Sequence, residues 1–471
     1  MIDKREILEH ASALKLSPHV VEKDYVLGWI LGGIYANAAL VDSWVFKGGT
    51  CLKKCYFETY RFSEDLDFTL LDANHLDETF LKRAFNEVIG WVAEQSGISM
   101  PEDQLSFDVY VNKRGKISCQ GKIGYRGPVS PTSNSWPKIK LDLTADEKLV
   151  LPAARREVFH PYSDRPEDKL WINCYKYVEA FAEKFRALSE RTRPRDLYDV
   201  VNLYRHGDDR PSPVVLRDVL QQKCTYKSIA LPTLEALTPH RTDLEAKWQQ
   251  MLGHQLPVLP SAVDFWDALP EIFSWMMSTA QAPERTPIKS GFGEVVIRSR
   301  VLPMNIPVRT RATLEIIRFA AANYLCVDLT YVDLKYTRKV RRIEPYSLRK
   351  TQEGNYVLHA VRSDSGEHRS YRLDRMQDAS VSAQSFVPRY LVELTSTGPV
   401  RVAESAERQR STGPRRPNRS MGSGAVNVFY CGVCGKKFQR KSMDYTLNPH
   451  KDPSGYPCYG RRGVFDHTKH S

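Results

Sequence analysis

Lys47-Gly48-Gly49-Thr50, followed by Arg61-Phe62-Ser63-Glu64-Asp65-Leu66-Asp67-Phe68, is the stretch on which the reading of this chain turns. Residues 43–46 read as a short strand running into the glycines. Glycines directly after a strand permit a tight turn and a close approach of backbone to phosphate, and the Thr50 hydroxyl adds a hydrogen-bonding group. Side chains two apart on a strand share a face. Asp65 and Asp67 therefore project together, while Leu66 and Phe68 enter the core. Two carboxylates held this close repel unless a divalent cation lies between them, and Mg²⁺ favours a few carboxylates together with substrate phosphates.

A third carboxylate follows from Lys138-Ile139-Lys140-Leu141-Asp142-Leu143-Thr144. Ile139, Leu141 and Leu143 form one face of an alternating strand; Lys140, Asp142 and Thr144 form the other. If this strand lies beside the first, Asp142 joins Asp65 and Asp67. Three carboxylates can hold two metals that activate an attacking oxygen and stabilise a leaving pyrophosphate.

The 471 residues suggest about three domains. At 42% hydrophobic and 26% charged, the composition excludes wholesale disorder and a collagen-like chain. No stretch reaches the roughly 20 apolar residues of a membrane span, and the charged start is unlike a secretory signal, so a cytoplasmic protein without a membrane partner is expected. Nine cysteines form no disulfide framework, with six scattered and three at the end. The net charge of +12 is uneven: residues 397–471 carry 14 Lys and Arg against 5 Asp and Glu. Such a tail suits a polyanion, with nucleic acid the leading candidate.

Along the chain, residues 7–14, 20–34 and 76–95 read as helices, and 65–70, 107–111, 116–125 and 138–144 as strands. Residues 170–190 and 196–205 read as helices. Residues 206–278 are mostly helical, with Trp248, Trp266 and Trp275 as core anchors. The expected division is a catalytic domain at 1–205, its helical extension at 206–278, a linker at 279–309 with a strand near 294–297, and a compact unit at 310–395. A basic linker at 396–425 and a terminal module at 426–471 complete it.

The combination of residues 46–50, 61–68 and 140–144 resembles the AbiEii/AbiGii toxin family of nucleotidyltransferases. Val21-Glu22-Lys23-Asp24-Tyr25 and the run from Glu183-Lys184 to Arg195-Asp196-Leu197-Tyr198-Asp199 extend the resemblance over about residues 1–278. It implies an α+β fold: a DNA polymerase β-like core with a helical C-terminal half, and an NTP as substrate. Some members of the family transfer nucleotides to tRNA ends. Asp65, Asp67 and Asp142 are then the Mg²⁺ ligands. Lys47, Gly48, Gly49, Thr50, Ser63 and Lys184 are the nucleotide-binding candidates. Lys184 lies at the edge of a helical stripe of Val178, Phe181, Phe185 and Leu188, where a lysine suits a fixed anionic partner or snorkels from the core edge. Asp196 either caps its helix, orients Lys184 or acts as a base. Arg186, Arg191 and Arg195 are phosphate or RNA contacts, or surface charge.

Residues 310–395 resemble a WYL domain, through residues 327–331, 341–348 and 355–358 and the Arg369 to Arg375 stretch. Asn355-Tyr356-Val357 stands where the name-giving triplet would be. The resemblance implies a small Sm-like β-barrel that senses a ligand or nucleic acid, with Tyr346, Arg369, Arg372 and Arg375 as contacts. Tyr356 reads as core. In the terminal module, Cys431-Gly432-Val433-Cys434 is a Cys-x-x-Cys knuckle and Cys458 supplies a third sulfur for Zn²⁺. His450, His467 and His470 compete as the fourth ligand, with His450 preferred. A module this small needs such a staple to fold, and its basic and aromatic residues suit RNA or DNA.

These expectations combine into a Mg²⁺-dependent nucleotidyltransferase toxin of a toxin–antitoxin or phage-defence system. It passes a nucleotide from NTP to an RNA end, a tRNA above all, and is neutralised by a cognate antitoxin. Two alternatives stand beside it: nucleotidylation of a protein, and a nucleic-acid-binding regulator built on the WYL domain and ribbon.

Overall fold

The computed structural model describes residues 1–57, 60–130, 135–166, 168–206, 210–279, 285–289, 291–297, 301–302, 308–334, 336–394, 401–402, 426–440, 445–448, 450–452, 457–458, 460 and 462–469. The chain divides into two compact units, Met1–Glu404 and Ser405–Ser471.

The first unit starts with helices α1 (Lys4–Leu14) and α2 (Pro18–Ala36), and α1 is capped by Asp3, whose carboxylate accepts from the Arg5 amide at 2.7 Å. Strands β1 (Trp44–Lys47) and β2 (Asp65–Leu70) flank a short helix α3 (Gly48–Cys51) that runs into a π-turn, Leu52–Tyr56. Helix α4 (Glu78–Ser96) is capped by Asp77, which accepts from the Phe80 amide, and ends at Gly97 with φ +72°. Strands β3 (Leu105–Val111), β4 (Ile117–Gly124), β5 (Lys138–Thr144), β6 (Ala154–Glu157) and β7 (Trp171–Cys174) follow.

Among the described residues these strands form one seven-stranded sheet, in the order β3-β4-β5-β2-β1-β7-β6. One face is apolar. Trp44, Phe46 and Phe68 pack on it against Phe85 of α4, which also meets Phe107. Helix α2 packs alongside and is buried on nearly every side from Val21 to Ile34. With its apolar face covered, the sheet leaves its polar face to the site.

The stretch expected as one helix over 170–190 is instead strand and helix. Trp171–Cys174 joins the sheet, with Cys174 parallel to Phe46, before α5 (Tyr177–Arg191) begins. Burial of Ile172 and Cys174, two apart, suits a strand paired on both sides by β1 and β6. Strand β6 carried no sequence signal. Its Ala-Arg-Arg-Glu is held by pairing with β7 rather than by pattern.

Helices α6 (Pro194–Arg205), α7 (Pro213–Lys227), α8 (Leu234–Leu237), α9 (Arg241–Leu252), α10 (Ala262–Trp266) and α11 (Leu269–Met277) make the expected helical half. Trp248, Trp266 and Trp275 are buried there. Beyond it, β8 (Val295–Val296) appears at the expected place, and β9 (Val301–Leu302) precedes α12 (Val308–Ala322). Then β10 (Leu325–Val332), β11 (Arg338–Lys350), β12 (Tyr356–Arg362), β13 (His368–Arg372) and β14 (Met376–Ser385) form an antiparallel sheet in the order β13-β12-β11-β10-β14, with β8 on β11. Among the described residues its end strands, β13 and β14, do not pair with each other, so the antiparallel sheet is shown and closure into the expected Sm-like β-barrel is not. Strand β15 (Arg401–Val402) pairs in parallel with β9.

In the second unit, β16 (Val426–Cys431), β17 (Lys437–Arg440), β18 (His450–Lys451), β19 (Pro457–Cys458) and β20 (Gly463–Lys469) give a three-stranded sheet, β17-β16-β20, and a β18-β19 pair. Of the basic and aromatic residues of the terminal module, Lys441, Tyr459 and Arg461 lie outside the described residues, as do His470 and most of the 396–425 linker. No described helix is long and apolar enough to cross a membrane.

Candidate active site

The register of the sheet brings the three aspartates together. Strands β2 and β5 are parallel neighbours, with Asp65 beside Lys140 and Asp67 beside Asp142. On the other side β1 pairs with β2 so that Lys47 lies opposite Asp67. Paired residues share a face. One row across the polar face therefore reads Asp108, Gln120, Asp142, Asp67, Lys47, and the row beside it Ser106, Lys122, Lys140, Asp65.

Crowding shows in the electrostatics. Burial, with the nearby Asp142 and Asp65 carboxylates, pushes the Asp67 carboxyl up to about 6, against the pull of Lys47 and Lys184. Asp65 is raised as well, by burial first, with Lys23 and Lys140 opposing. Carboxylates that resist ionisation when left to themselves are the chemistry a divalent cation relieves. Three carboxylates on adjacent strands are the donor type such an ion takes.

The glycine turn is shaped by these groups. Gly48 has φ +83°, and a Cβ there would lie 2.0 Å from Asp67 Oδ2. A Cβ on Gly49 would meet the Arg61 guanidinium at 2.5 Å and Ser63 Oγ at 3.1 Å. Gly48 is thus required by conformation as well as by close approach, and Gly49 by close approach alone. Thr50 is buried, and its hydroxyl donates to the Asp65 carbonyl at 2.5 Å, locking the turn to the start of β2. That hydroxyl is committed to the backbone rather than free for a ligand. The turn is held from behind by Lys54, whose ammonium donates to both the carboxylate (2.7 Å) and the carbonyl (2.8 Å) of Asp24 on α2. Lys23 meets Glu64 at 2.8 Å. The Val21 to Tyr25 stretch therefore serves as a buttress for the turn.

Lys184 projects from α5 and is 7% exposed. Its ammonium lies 2.8 Å from Asp199 and 3.5 Å from Asp196, both on α6. Asp199 also accepts two bonds from the Arg61 guanidinium, both at 2.8 Å, and one from the Tyr60 hydroxyl at 2.6 Å. These cations hold the Asp199 carboxyl far below the usual range despite its burial. Asp196 accepts a two-pronged bond from Arg191, at 2.7 and 2.9 Å. Asp196 thus sits between the Arg191 guanidinium and the Lys184 ammonium.

The arginines beside the site are satisfied internally. Arg186 pairs with Glu183 and Glu190, and Arg195 donates to the Met251 carbonyl at 3.2 Å. Sequence reasoning gave no role to Arg61, Asp199 or Glu147, yet Glu147 draws Lys47 (3.5 Å) and Lys227 (3.3 Å). The first two stand in quoted motifs, but their pairing across the chain leaves no periodic trace.

In the 310–395 segment, Tyr346 is fully buried, and its hydroxyl donates to Glu344 at 3.1 Å while accepting from the Arg389 amide. It belongs to the core and offers no face to a ligand. Tyr356, expected as core, is half-buried. Arg369 pairs with Glu367 and Arg372 with Asp374. Arg375, half-buried, follows in the 3₁₀ turn after β13.

In the terminal module, the ligand atoms of Cys431, Cys434, His450 and Cys458 all lie within 4.8 Å of one another. Cys431 and Cys458 sulfurs are 3.8 Å apart, the edge of a metal–thiolate tetrahedron. His450 Nδ1 lies 2.9 Å from the Asn448 carbonyl, which fixes Nδ1 as the protonated nitrogen and leaves Nε2 facing Cys434 Sγ at 3.3 Å. Gly435 turns the knuckle at φ +72°, and a Cβ on Gly460 would strike Cys431 Sγ at 2.3 Å. Among the described residues, His450 is the histidine brought to the sulfurs. His467 sits instead beside Asp466 on β20.

The chain is similar to known families and structures. The family model described as the nucleotidyl transferase AbiEii toxin of type IV toxin–antitoxin systems matches residues 29–273, and the WYL domain model matches residues 312–381. Among solved structures, the nucleotidyltransferase toxin MenT4 of Mycobacterium tuberculosis H37Rv is 16% identical, with a TM-score of 0.39 over 59% of this chain and 91% of that one. The proteasome accessory factor PafBC of Arthrobacter aurescens is 15% identical, with a TM-score of 0.17 over 62% of this chain and 41% of that one. No curated protein matches. The first family model spans more than half of the sequence, and the chain belongs to the AbiEii family of nucleotidyltransferase toxins of type IV toxin–antitoxin systems.

Proposed function

We propose that this toxin is a Mg²⁺-dependent enzyme that passes a nucleotide from an NTP to the end of an RNA, with a tRNA as the acceptor and loss of pyrophosphate. The observation that carries the reading is the register placing Asp65, Asp67 and Asp142 on one open sheet face against the Gly48-Gly49 turn. A bound divalent cation supplies neutralisation of the phosphates and of the attacking oxygen. The chain's own residues do the rest. The turn at Gly48 to Thr50 and Ser63 receives the triphosphate, Lys47 and Lys184 face its charge, and Asp196, Asp199 and Arg61 hold Lys184 in place.

An RNA acceptor is supported by the exposed side of that face. Lys122, Lys138 and Lys140 are exposed on β4 and β5 next to Asp65, and Tyr110 is 44% exposed in the row beyond Asp142. Cations beside an aromatic suit a phosphate backbone and a stacked base. The basic ribbon, with Zn²⁺ on Cys431, Cys434, His450 and Cys458, is a second nucleic-acid contact in this reading. Arg369, Arg372 and Arg375 are kept as ligand contacts of the WYL domain, and the domain limits are those given above. Family membership implies an antitoxin partner.

The test is label transfer from each of four α-labelled NTPs, with Mg²⁺, to total bacterial RNA by wild type and Asp65→Ala. A labelled small RNA that is lost in the variant supports the reading and names the nucleotide. Label on protein instead of RNA overturns the acceptor, and transfer that survives Asp65→Ala overturns the site.

A further inference from the structure

Three cysteines outside the ribbon converge behind the phosphate turn. Cys51 ends α3, Cys55 lies in the π-turn that follows, and Cys174 ends β7 beside Phe46 of β1. Their sulfurs all lie within 4.8 Å of one another, and their exposures are 0%, 5% and 0%. A single buried cysteine is an ordinary small core residue. Cys119, Cys224 and Cys326 are of that kind, apart from one another on β4, α7 and β10. The trio differs because two distant segments deliver three sulfurs to one point.

The spacing is that of a chelate. Residues four apart in a helical turn lie on one face, so Cys51 and Cys55 present their sulfurs together and Cys174 closes the triangle. Three sulfurs bonded at about 2.3 Å to one cation sit about 4 Å apart in a trigonal plane. Contraction of less than about 1 Å from the present 4.8 Å limit reaches that geometry.

Charge balance is built in as well. Three thiolates around a divalent cation carry −1, which an apolar core does not tolerate alone. Arg156 supplies the counter-charge. Its Nε donates to the Cys55 carbonyl at 2.8 Å, and its guanidinium stacks 4.3 Å over the Tyr56 ring. Hydrogen bonds from Cys51 and Cys55 draw the Cys174 thiol down, with Arg156 acting in the same direction, while burial holds the Cys51 and Cys55 thiols well above their ordinary range, so that a bound cation has those two protons to displace.

We propose that Cys51, Cys55 and Cys174 form a buried trithiolate site for a soft, thiophilic d¹⁰ cation, separate from the carboxylate site and the ribbon. On binding, three metal–sulfur bonds form, the thiol protons leave to solvent, and the anionic centre rests against Arg156. A filled site ties the helix of the phosphate turn to β7, so it bears on the stability of the turn itself.

The probe is Cd²⁺, titrated into the full-length reduced chain without oxygen. Bound metal is counted after desalting, and the sulfur-to-cadmium absorbance is followed. Expected is the loss of one equivalent of Cd²⁺, with its absorbance, in Cys174→Ala and equally in Cys55→Ala. A further equivalent is lost separately in Cys431→Ser. Circular dichroism of each variant checks its fold, and Cys55→Ala, at the least buried of the three, covers the case in which Cys174→Ala does not fold. Wild-type amounts of Cd²⁺ in folded Cys174→Ala or Cys55→Ala overturn the proposal, because the sulfurs would then be packing groups only.

Discussion

Asp67→Asn is expected to abolish nucleotidyl transfer and yet to stabilise the metal-free protein. The Asp67 carboxyl is raised from an ordinary 3.8 to about 6 by burial and by its two neighbouring carboxylates. The folded state thus holds the proton more tightly than the unfolded state. Stability from this group is complete below pH 3.8, falls as pH rises through the window up to about 6, and remains a fixed deficit above it. A shift of this size amounts to about 3 kcal/mol at pH 8 and about 1.5 kcal/mol at pH 5. Solvent screening of this half-buried group makes both figures upper bounds. Asparagine removes the ionised form and with it the deficit. The assay is urea unfolding in EDTA at pH 5 and pH 8, wild type beside variant, followed by tryptophan fluorescence. A greater advantage for the variant at pH 8 than at pH 5 is expected, and Mg²⁺ should narrow it by stabilising wild type alone. A variant less stable than wild type at pH 8, or an advantage equal at both pH values, refutes the crowding argument.

Asp199→Ala leaves Arg61, Lys184 and the Tyr60 hydroxyl buried without their carboxylate. Unfolding should be easier by about 3–5 kcal/mol, and the Arg61→Met/Asp199→Leu pair should lose less than the two single changes summed. Because the Asp199 carboxyl is held below its ordinary range, its contribution is present at neutral pH and lost only on acidification. Gly48→Ala puts a methyl 2.0 Å from Asp67 Oδ2 at φ +83°; steady-state transfer should fall to background, with a stability cost of about 1–3 kcal/mol. Chelation, or Cys434→Ser, should open residues 426–469 to limited proteolysis while leaving the 1–404 unit resistant, since a module of this size depends on its ligands. Asn323→Leu removes the acceptor of the Tyr198 hydroxyl at 2.9 Å and should cost about 1 kcal/mol with a lowered transfer rate.

The placement of the three aspartates on neighbouring strands was legible because its signal is local. Asp65, Asp67 and Asp142 sit on two strands whose alternation fixes the face, and the glycines mark the turn. The knuckle cysteines carried the same kind of mark. What escaped is set by long-range pairing. Arg61 and Asp199 meet across 138 residues of sequence, and neither position departs from its local pattern. Strand β7 was taken into a helix because Trp171–Cys174 is too short to show a period of its own. Tyr346 was read as a contact because an aromatic beside arginines looks exposed on a strand, whereas its hydroxyl is satisfied inside by Glu344.

Helix α6 joins these features physically. Asp196 and Asp199, three apart and on one face, hold Lys184 and Arg61. From the same helix, Tyr198 donates to Asn323, and Arg205 lies over the rings of Phe265 (4.7 Å) and Tyr324 (4.1 Å), so the end of α12 is packed on it. Tyr198 also stacks on Phe265 and touches Tyr60, whose hydroxyl bonds Asp199. A helix of twelve residues moves as a body. The orientation of Lys184 and the seat of the segment beyond residue 308 are therefore two contacts of one rigid element. A chain cut after residue 278 would uncover one side of Tyr198 and leave the Arg205 guanidinium without the Tyr324 ring. The catalytic half is completed, in packing, by residues that the family model of the nucleotidyltransferase does not reach.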